Sequence, residues 1–224
     1  MSDSNLYAPP AAPNGPTPEP APRGEPKHLS TALVIALVLS ALGILTALLG
    51  VTSGLTGLGT TAPPASPGLP PQFIEAQAKM YEEMAEASMR GPATLLALIG
   101  GGVEGFAFYA AWIARRGQER GRALLAAQAL PVLMLYTGLK LIWTVFVSTR
   151  TYAVLERFME RIQGGVAAPP AASGIMNTAL VVGVIGGAVF ALAWSGVLIA
   201  FYSWARGVLR RDDVVSYFER GSAQ

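Results

Sequence analysis

Two ionisable residues stand where apolar side chains dominate. Glu104 lies in GGGVEGFAFYAAWI (residues 100–113), and Lys140 lies in LYTGLKLIW (residues 135–143). In such surroundings an acid can carry a proton, bind a cation or pair with a base, and each choice defines a different kind of protein. An isolated charge at the centre of a lipid layer costs about 2.5–3.5 kcal/mol on insertion scales, so neither residue belongs there without compensation. Counted from the flanking arginines, Glu104 falls near the middle of its apolar stretch and Lys140 ~6 Å beyond the middle of its own. Side chains lean toward the start of their own helix. If the two stretches are antiparallel neighbours, the heads therefore converge. Three readings follow: an ion pair holding the helices in register, a proton- or cation-handling carboxylate in a pathway, or a protonated Glu104 with Lys140 reaching outward to water. The ion pair is the leading expectation.

Other polar residues lie close by in sequence. Pro131 removes a backbone donor and frees the carbonyl of Ala127, which predicts a kink. Gln128, Tyr136 and Thr137 are placed to bond near that kink or to line a wet cavity. The inventory for covalent chemistry is poor. The chain has no cysteine and a single histidine, His28, so thiolate sites, histidine zinc sites and His-dependent triads are excluded. It has no HExxH, P-loop or GxSxG pattern. Asp3, Asp212 and Asp213 all fall outside the apolar stretches. A Ser148–Lys140 dyad would span eight residues, over two helical turns. The expectation is a non-catalytic protein with neither metal nor cofactor.

What must position Glu104 and Lys140 is set by composition. The chain has 224 residues, 52% hydrophobic and 13% charged, and a soluble domain carries about twice that charge. Four stretches, about 30–51, 93–114, 123–147 and 174–205, are long enough to cross a hydrocarbon layer of ~30 Å as helices. Arg115, Arg116, Arg120 and Arg122 crowd the connection between the second and third, and Arg206, Arg210 and Arg211 follow the fourth. Connections on that side, with the leading segment, hold ten Lys and Arg against five on the other. The positive-inside rule then puts both ends of the chain in the cytoplasm. The fold expected is an all-α integral membrane protein with four transmembrane helices and two short amphipathic helices in the outer loops. Arginine dominates lysine, 13 to three, in an Ala-, Gly- and Pro-rich background, which reads as a bacterial inner-membrane protein.

The amphipathic segments are about 71–90 and 151–163. In the first, Phe73, Met80 and Met84 share a face opposite Glu75, Glu82, Glu83 and Glu86; in the second, Tyr152, Leu155, Met159 and Ile162 oppose Arg157, Glu160 and Arg161. Capping of the bundle is the expected role, with membrane-surface or partner binding as alternatives. Residues 1–28, with eight prolines, read as a disordered Pro/Ala-rich cytoplasmic tail, and 207–224 as a cytoplasmic C-terminal tail in which Val214 and Phe218 share a face of a short helix. The two halves, each ending in an aromatic cluster before arginine (FYAAWIARRG and FYSWARG), read equally as an internal repeat and as convergence at one membrane interface.

Close packing is expected from small residues. Ala179, Gly183, Gly187, Ala191 and Ser195 recur every fourth residue in the fourth span, and Gly101 and Gly105 give a shorter row in the second. Internal bundle packing is the favoured reading over a homodimer seam. The functional expectation is a scaffold or accessory subunit held by the Glu104–Lys140 pair. The alternative is a small proton- or cation-coupled transporter or channel using Glu104. Expected partners are the lipid bilayer and another membrane protein or a second copy, with no nucleic acid.

Overall fold

A computed structural model of the chain describes residues 26–56, 71–165 and 170–221, without the side chains of Lys27 and of residues 163–181. The Pro/Ala-rich tail falls almost wholly outside the described residues, as does most of the Gly-, Thr- and Pro-rich run after residue 56. Described residues are helical throughout, with short turns between helices: α1 Lys27–Thr56, α2 Pro71–Ala87, α3 Arg90–Arg115, α4 Glu119–Leu124, a π-helical turn at Leu125–Ala129, α5 Leu130–Gly165, α6 Pro170–Leu209 and α7 Asp212–Gly221. Four helical stretches, His28–Thr56, Arg90–Arg115, Glu119–Ile162 and Val182–Leu209, are long and apolar enough to cross a membrane.

The hydroxyls inside α1 show how a polar side chain is tolerated there. Thr46 donates to the Leu42 carbonyl at 2.7 Å, Ser53 to Leu49 at 2.7 Å and Thr56 to Thr52 at 2.7 Å. Each bond stays within the helix, so no donor is left facing an apolar medium.

Two expectations about the segments change. The second amphipathic segment is not a separate loop helix: it continues α5 without a break, giving 36 residues and a rod of about 54 Å. Residues 141–163 contain neither glycine nor proline, so nothing in them stops the helix. Its counterpart α2 is separate, and leads into α3 through a turn in which Met89 takes φ 46°. The two halves therefore differ in how their outer segments are built. The 207–224 tail is also revised. α6 runs on to Leu209, and α7 docks as a structured helix with Val214 and Phe218 each 1% exposed. Its apolar face is answered by the main core, and Asp212 and Asp213 sit favourably in its first turn.

That core lies at the basic end. Leu29, Leu33 and Ala36 of α1 meet Ala107, Ala111 and Ala114 of α3, Leu125 to Leu133, Leu209 of α6 and Phe218 of α7. Arg122 closes the end: its guanidinium pairs with Glu119 and donates to the Leu209 carbonyl at 2.9 Å, satisfying an orphan acceptor where α6 ends. The turn before it needs glycine twice. Gly117 takes φ 79°, and a Cβ on Gly121 would lie 2.3 Å from the Ala114 backbone nitrogen. At the opposite end α2 packs on the extension of α5. Phe73, Ala76 and Met80 meet Phe158, Met159 and Ile162, and Glu83 bonds Arg161 at 2.5 Å. The amphipathic faces thus cover one another. Tyr152, expected in the buried stripe, is 42% exposed.

Candidate functional site

Glu104 is positioned by the α1–α3 seam. Four contacts set its register: Gly54 against Thr94, Gly50 against Ala97, Ala47 against Gly101, and Gly43 against Glu104. Numbers fall along one helix as they rise along the other, so α1 and α3 run antiparallel. On α1 the facing positions are Ser40, Gly43, Ala47, Gly50 and Gly54, small residues three and four apart. Removing side chains along a stripe lets two backbones approach, and the approach is closest at these glycines.

Gly43 makes the site. A Cβ there would lie 2.4 Å from Glu104 Cδ and 2.6 Å from its Oε1, so the carboxyl occupies the space a side chain would need. Glu104 is 9% exposed, and its neighbour Ser40, 2% exposed, serves as a hydrogen-bond partner. The second carboxylate oxygen, Oε2, is buried with no hydrogen-bond partner among the described residues. A buried acceptor in that condition is a place where a donor belongs.

The carboxyl borders a cavity of about 500 Å³ shared by all four long helices. Leu42, Gly43, Thr46 and Ala47 line it from α1, and Ala97, Gly100 and Glu104 from α3. Tyr136, Lys140, Trp143 and Thr144 come from α5, and Trp194, Leu198 and Tyr202 from α6. Tyr202 also belongs to the core at the basic end, so it forms the floor. Tyr136 pins the wall: its hydroxyl sits where a Cβ on Gly100 would fall, 2.0 Å away, and donates to the Leu96 carbonyl at 3.3 Å.

Glu104 and Lys140 therefore meet at one cavity, but the expected direct ion pair is not formed. Ion pairs within 4.0 Å among the described residues are Arg122–Glu119, Arg157–Glu83 and Arg161–Glu83. The reason is steric. The glycine-lined seam draws the carboxyl toward α1, while the Tyr136 ring fills the space between α3 and α5. Lys140 is exposed at the cavity's edge.

The remaining sequence candidates separate. Thr137 is buried and donates to its own helix, to the Leu133 carbonyl at 2.8 Å, outside the cavity lining. Gln128 is exposed on the π turn near the basic end, also away from the cavity. Pro131 lies two residues after that turn. Leu130 N–H donates to the Leu125 carbonyl five residues back, so the turn is wound one residue wider just where proline removes a donor. A Cβ on Gly101 would lie 3.4 Å from Ala47 Cβ, whereas one on Gly105 would have nothing within 4 Å.

The glycines of the row on α6 do not pack against another helix. Gly183 and Gly187 are exposed with nothing within 4 Å, and Ala191 and Ser195 are half-buried. The Ala179 side chain lies outside the described residues. The favoured internal-packing reading changes at Gly183 and Gly187, which turn outward, while α1 and α3 meet along the row on α1.

Sequence reasoning missed Ser40, Gly43, Trp143, Trp194 and Tyr202. The 4–3–4 spacing from Gly43 to Gly54 was the signal available for the first two; the aromatic residues carried none. Among the described residues, no group of three His, Cys, Asp or Glu comes together as a metal site. What the cavity offers is one deep carboxylate, hydroxyls, an ammonium group at its edge and indole walls. No family model matches this sequence, and no known protein or solved structure compared with it matches either.

Proposed function

We propose that this chain is a multi-pass membrane protein in which Glu104 handles a proton or a cation within a one-sided cavity, as in a small coupled transporter. The observation that supports it best is the position of the carboxyl: deep, with one oxygen unpartnered, and facing open volume. Such an acid can exchange a proton for another positive group without breaking a structural bond. The role proposed is binding and exchange, with no bond-making step. Closure at the basic end and opening beyond it fit a site that faces one side at a time.

The basic end is proposed to face the cytoplasm, with both ends of the chain there, in the inner membrane of a bacterium. Because the chain lacks cysteine, single cysteines report topology directly. On intact cells an impermeant maleimide is expected to label Glu82→Cys and to spare Gln118→Cys; the reverse pattern would invert the assignment. Function is tested in proteoliposomes carrying an internal pH dye. Proton or cation flux that disappears in Glu104→Gln supports the reading, and equal flux in parent and variant ends it.

A second reading, the scaffold or accessory subunit, is favoured by a different observation. α6 presents Gly183, Gly187 and large apolar side chains such as Phe190 outward. Stable co-purification of one membrane partner, with no flux in proteoliposomes, would favour that role over transport.

A further inference from the structure

We propose that the cavity binds a small zwitterion with an apolar side chain, its ammonium group on the Glu104 carboxylate and its acid group toward Lys140. This rests on the reading that Glu104 meets a positive group, and it names the chemical class. The starting point is two opposite charges that line one cavity and yet stand more than 4.0 Å apart. Neither is neutralised by another charged side chain among the lining residues, because Ser40, Tyr136 and Tyr202, which surround the acid from α1, α5 and α6, are uncharged. In an apolar setting such a pair is closed by direct contact, relieved by protonating the acid while the lysine reaches water, or bridged by something that carries both signs, and the last of these satisfies both heads at once.

Depth fixes the direction of the bridge. Tyr136 reaches α3 at Gly100, so Lys140, one turn farther along α5, lies beside the α3 residues that precede Gly100. Glu104 lies one turn beyond Gly100 in the other sense. Their backbones are therefore separated by about two turns, ~11 Å along the axis. The long Lys140 side chain covers part of that distance, and a ligand carrying both an ammonium and an acid group covers the rest. The ammonium goes deep, because Glu104 Oε2 lacks a donor and an ammonium supplies three. The acid group stays at the edge, where Lys140 is exposed.

An apolar side chain is called for by the walls. Trp143, Trp194, Leu42 and Leu198 bring no charge, and the volume of about 500 Å³ lies within the ~300–1,000 Å³ of small-molecule pockets. A bare metal cation would leave those indoles without a role.

The test uses three probes sharing one carbon skeleton: L-phenylalanine (both charges), phenethylamine (positive only) and 3-phenylpropionate (negative only). Each is titrated at neutral pH against the detergent-purified full chain by calorimetry, with intrinsic tryptophan fluorescence as a second readout. Phenylalanine is expected to bind tightest. Glu104→Gln is expected to weaken phenylalanine and phenethylamine by about tenfold or more and to leave 3-phenylpropionate unchanged. Lys140→Met is expected to weaken phenylalanine and 3-phenylpropionate and to leave phenethylamine unchanged. The probe each variant still binds shows that it is folded; should one bind none, the conservative Glu104→Asp or Lys140→Arg takes its place and must keep the parent's order of affinities. Phenethylamine binding as tightly as phenylalanine would overturn the zwitterion while leaving a cation site at Glu104. Binding of none of the three by the parent chain, with Glu104-dependent flux intact, would overturn it in favour of a proton or inorganic cation alone. If flux and binding both ignore Glu104→Gln, the functional reading falls with it.

Discussion

The two ends of the molecule are built from the same four long helices and behave differently. At the basic end alanines and leucines interlock, Arg122 ties α4 to α6, and α7 seals the bottom with Phe218. Beyond the level of Tyr202 α1 and α3 stay together, while α6 packs chiefly on α5 and leaves open space where a Cβ on Gly183 or Gly187 would lie. The difference comes from where bulk is placed. Where small side chains on one helix face large ones on another the gap closes, and where aromatic residues and a carboxylate intervene it stays open. Glu104 sits at the boundary between the closed and open halves, a position from which a change of charge could act on both.

Four substitutions break or sharpen that contrast. Phe218→Ala should be the most damaging, costing about 3–5 kcal/mol as a fully buried aromatic truncated in the closed end. Thermal unfolding in detergent would show it, and an unchanged midpoint would mean that α7 contributes nothing to the seal. Next comes Gly43→Ala, which inserts a methyl into the space of the Glu104 carboxyl and should cost about 1–3 kcal/mol. Pairing it with Glu104→Ala should recover most of that loss, because the clash needs both side chains; additive losses would contradict the contact. Glu83→Gln should cost about 0.2–1 kcal/mol, since its partners Arg157 and Arg161 are partly exposed. High salt should erase that difference between parent and variant. The smallest effect belongs to Gly187→Leu, within about 0.5 kcal/mol for the single chain, because nothing lies near its would-be Cβ. Native mass spectrometry of the same variant reads the second point: loss of an oligomer would make α6 a seam between copies.

The elements were legible because length and apolarity alone identify a helix that must satisfy its own backbone. The four stretches read from sequence correspond to α1, α3, α5 and α6, each extended by a few residues or more. What could not be read was facing. A helix that is apolar all round gives periodicity no purchase, so the row on α6 was chosen for its regular spacing, whereas the less regular row on α1 forms the seam. The Glu104–Lys140 expectation failed for a related reason. A short connection identified α3 and α5 as neighbours, yet α3 makes its closest approach to α1, and only the void left by Gly43 explains where the carboxyl turns. α7 was recognisable as amphipathic, but its partner was not, because a stripe such as Val214 and Phe218 reports burial without saying against what.

The wide turn at Leu125–Ala129 has a consequence for aim. Each residue of an α-helix advances the side-chain direction by about 100°, and the turn holds one residue more than an ordinary one. Winding the same residues as an ordinary α-helix would swing Tyr136 and Lys140 by roughly that angle about the α5 axis, whereas deleting one alanine along with the wide turn would leave them facing as they do. The wide winding, close to Pro131, absorbs that additional residue and keeps Tyr136 and Lys140 on the side of α5 that lines the cavity.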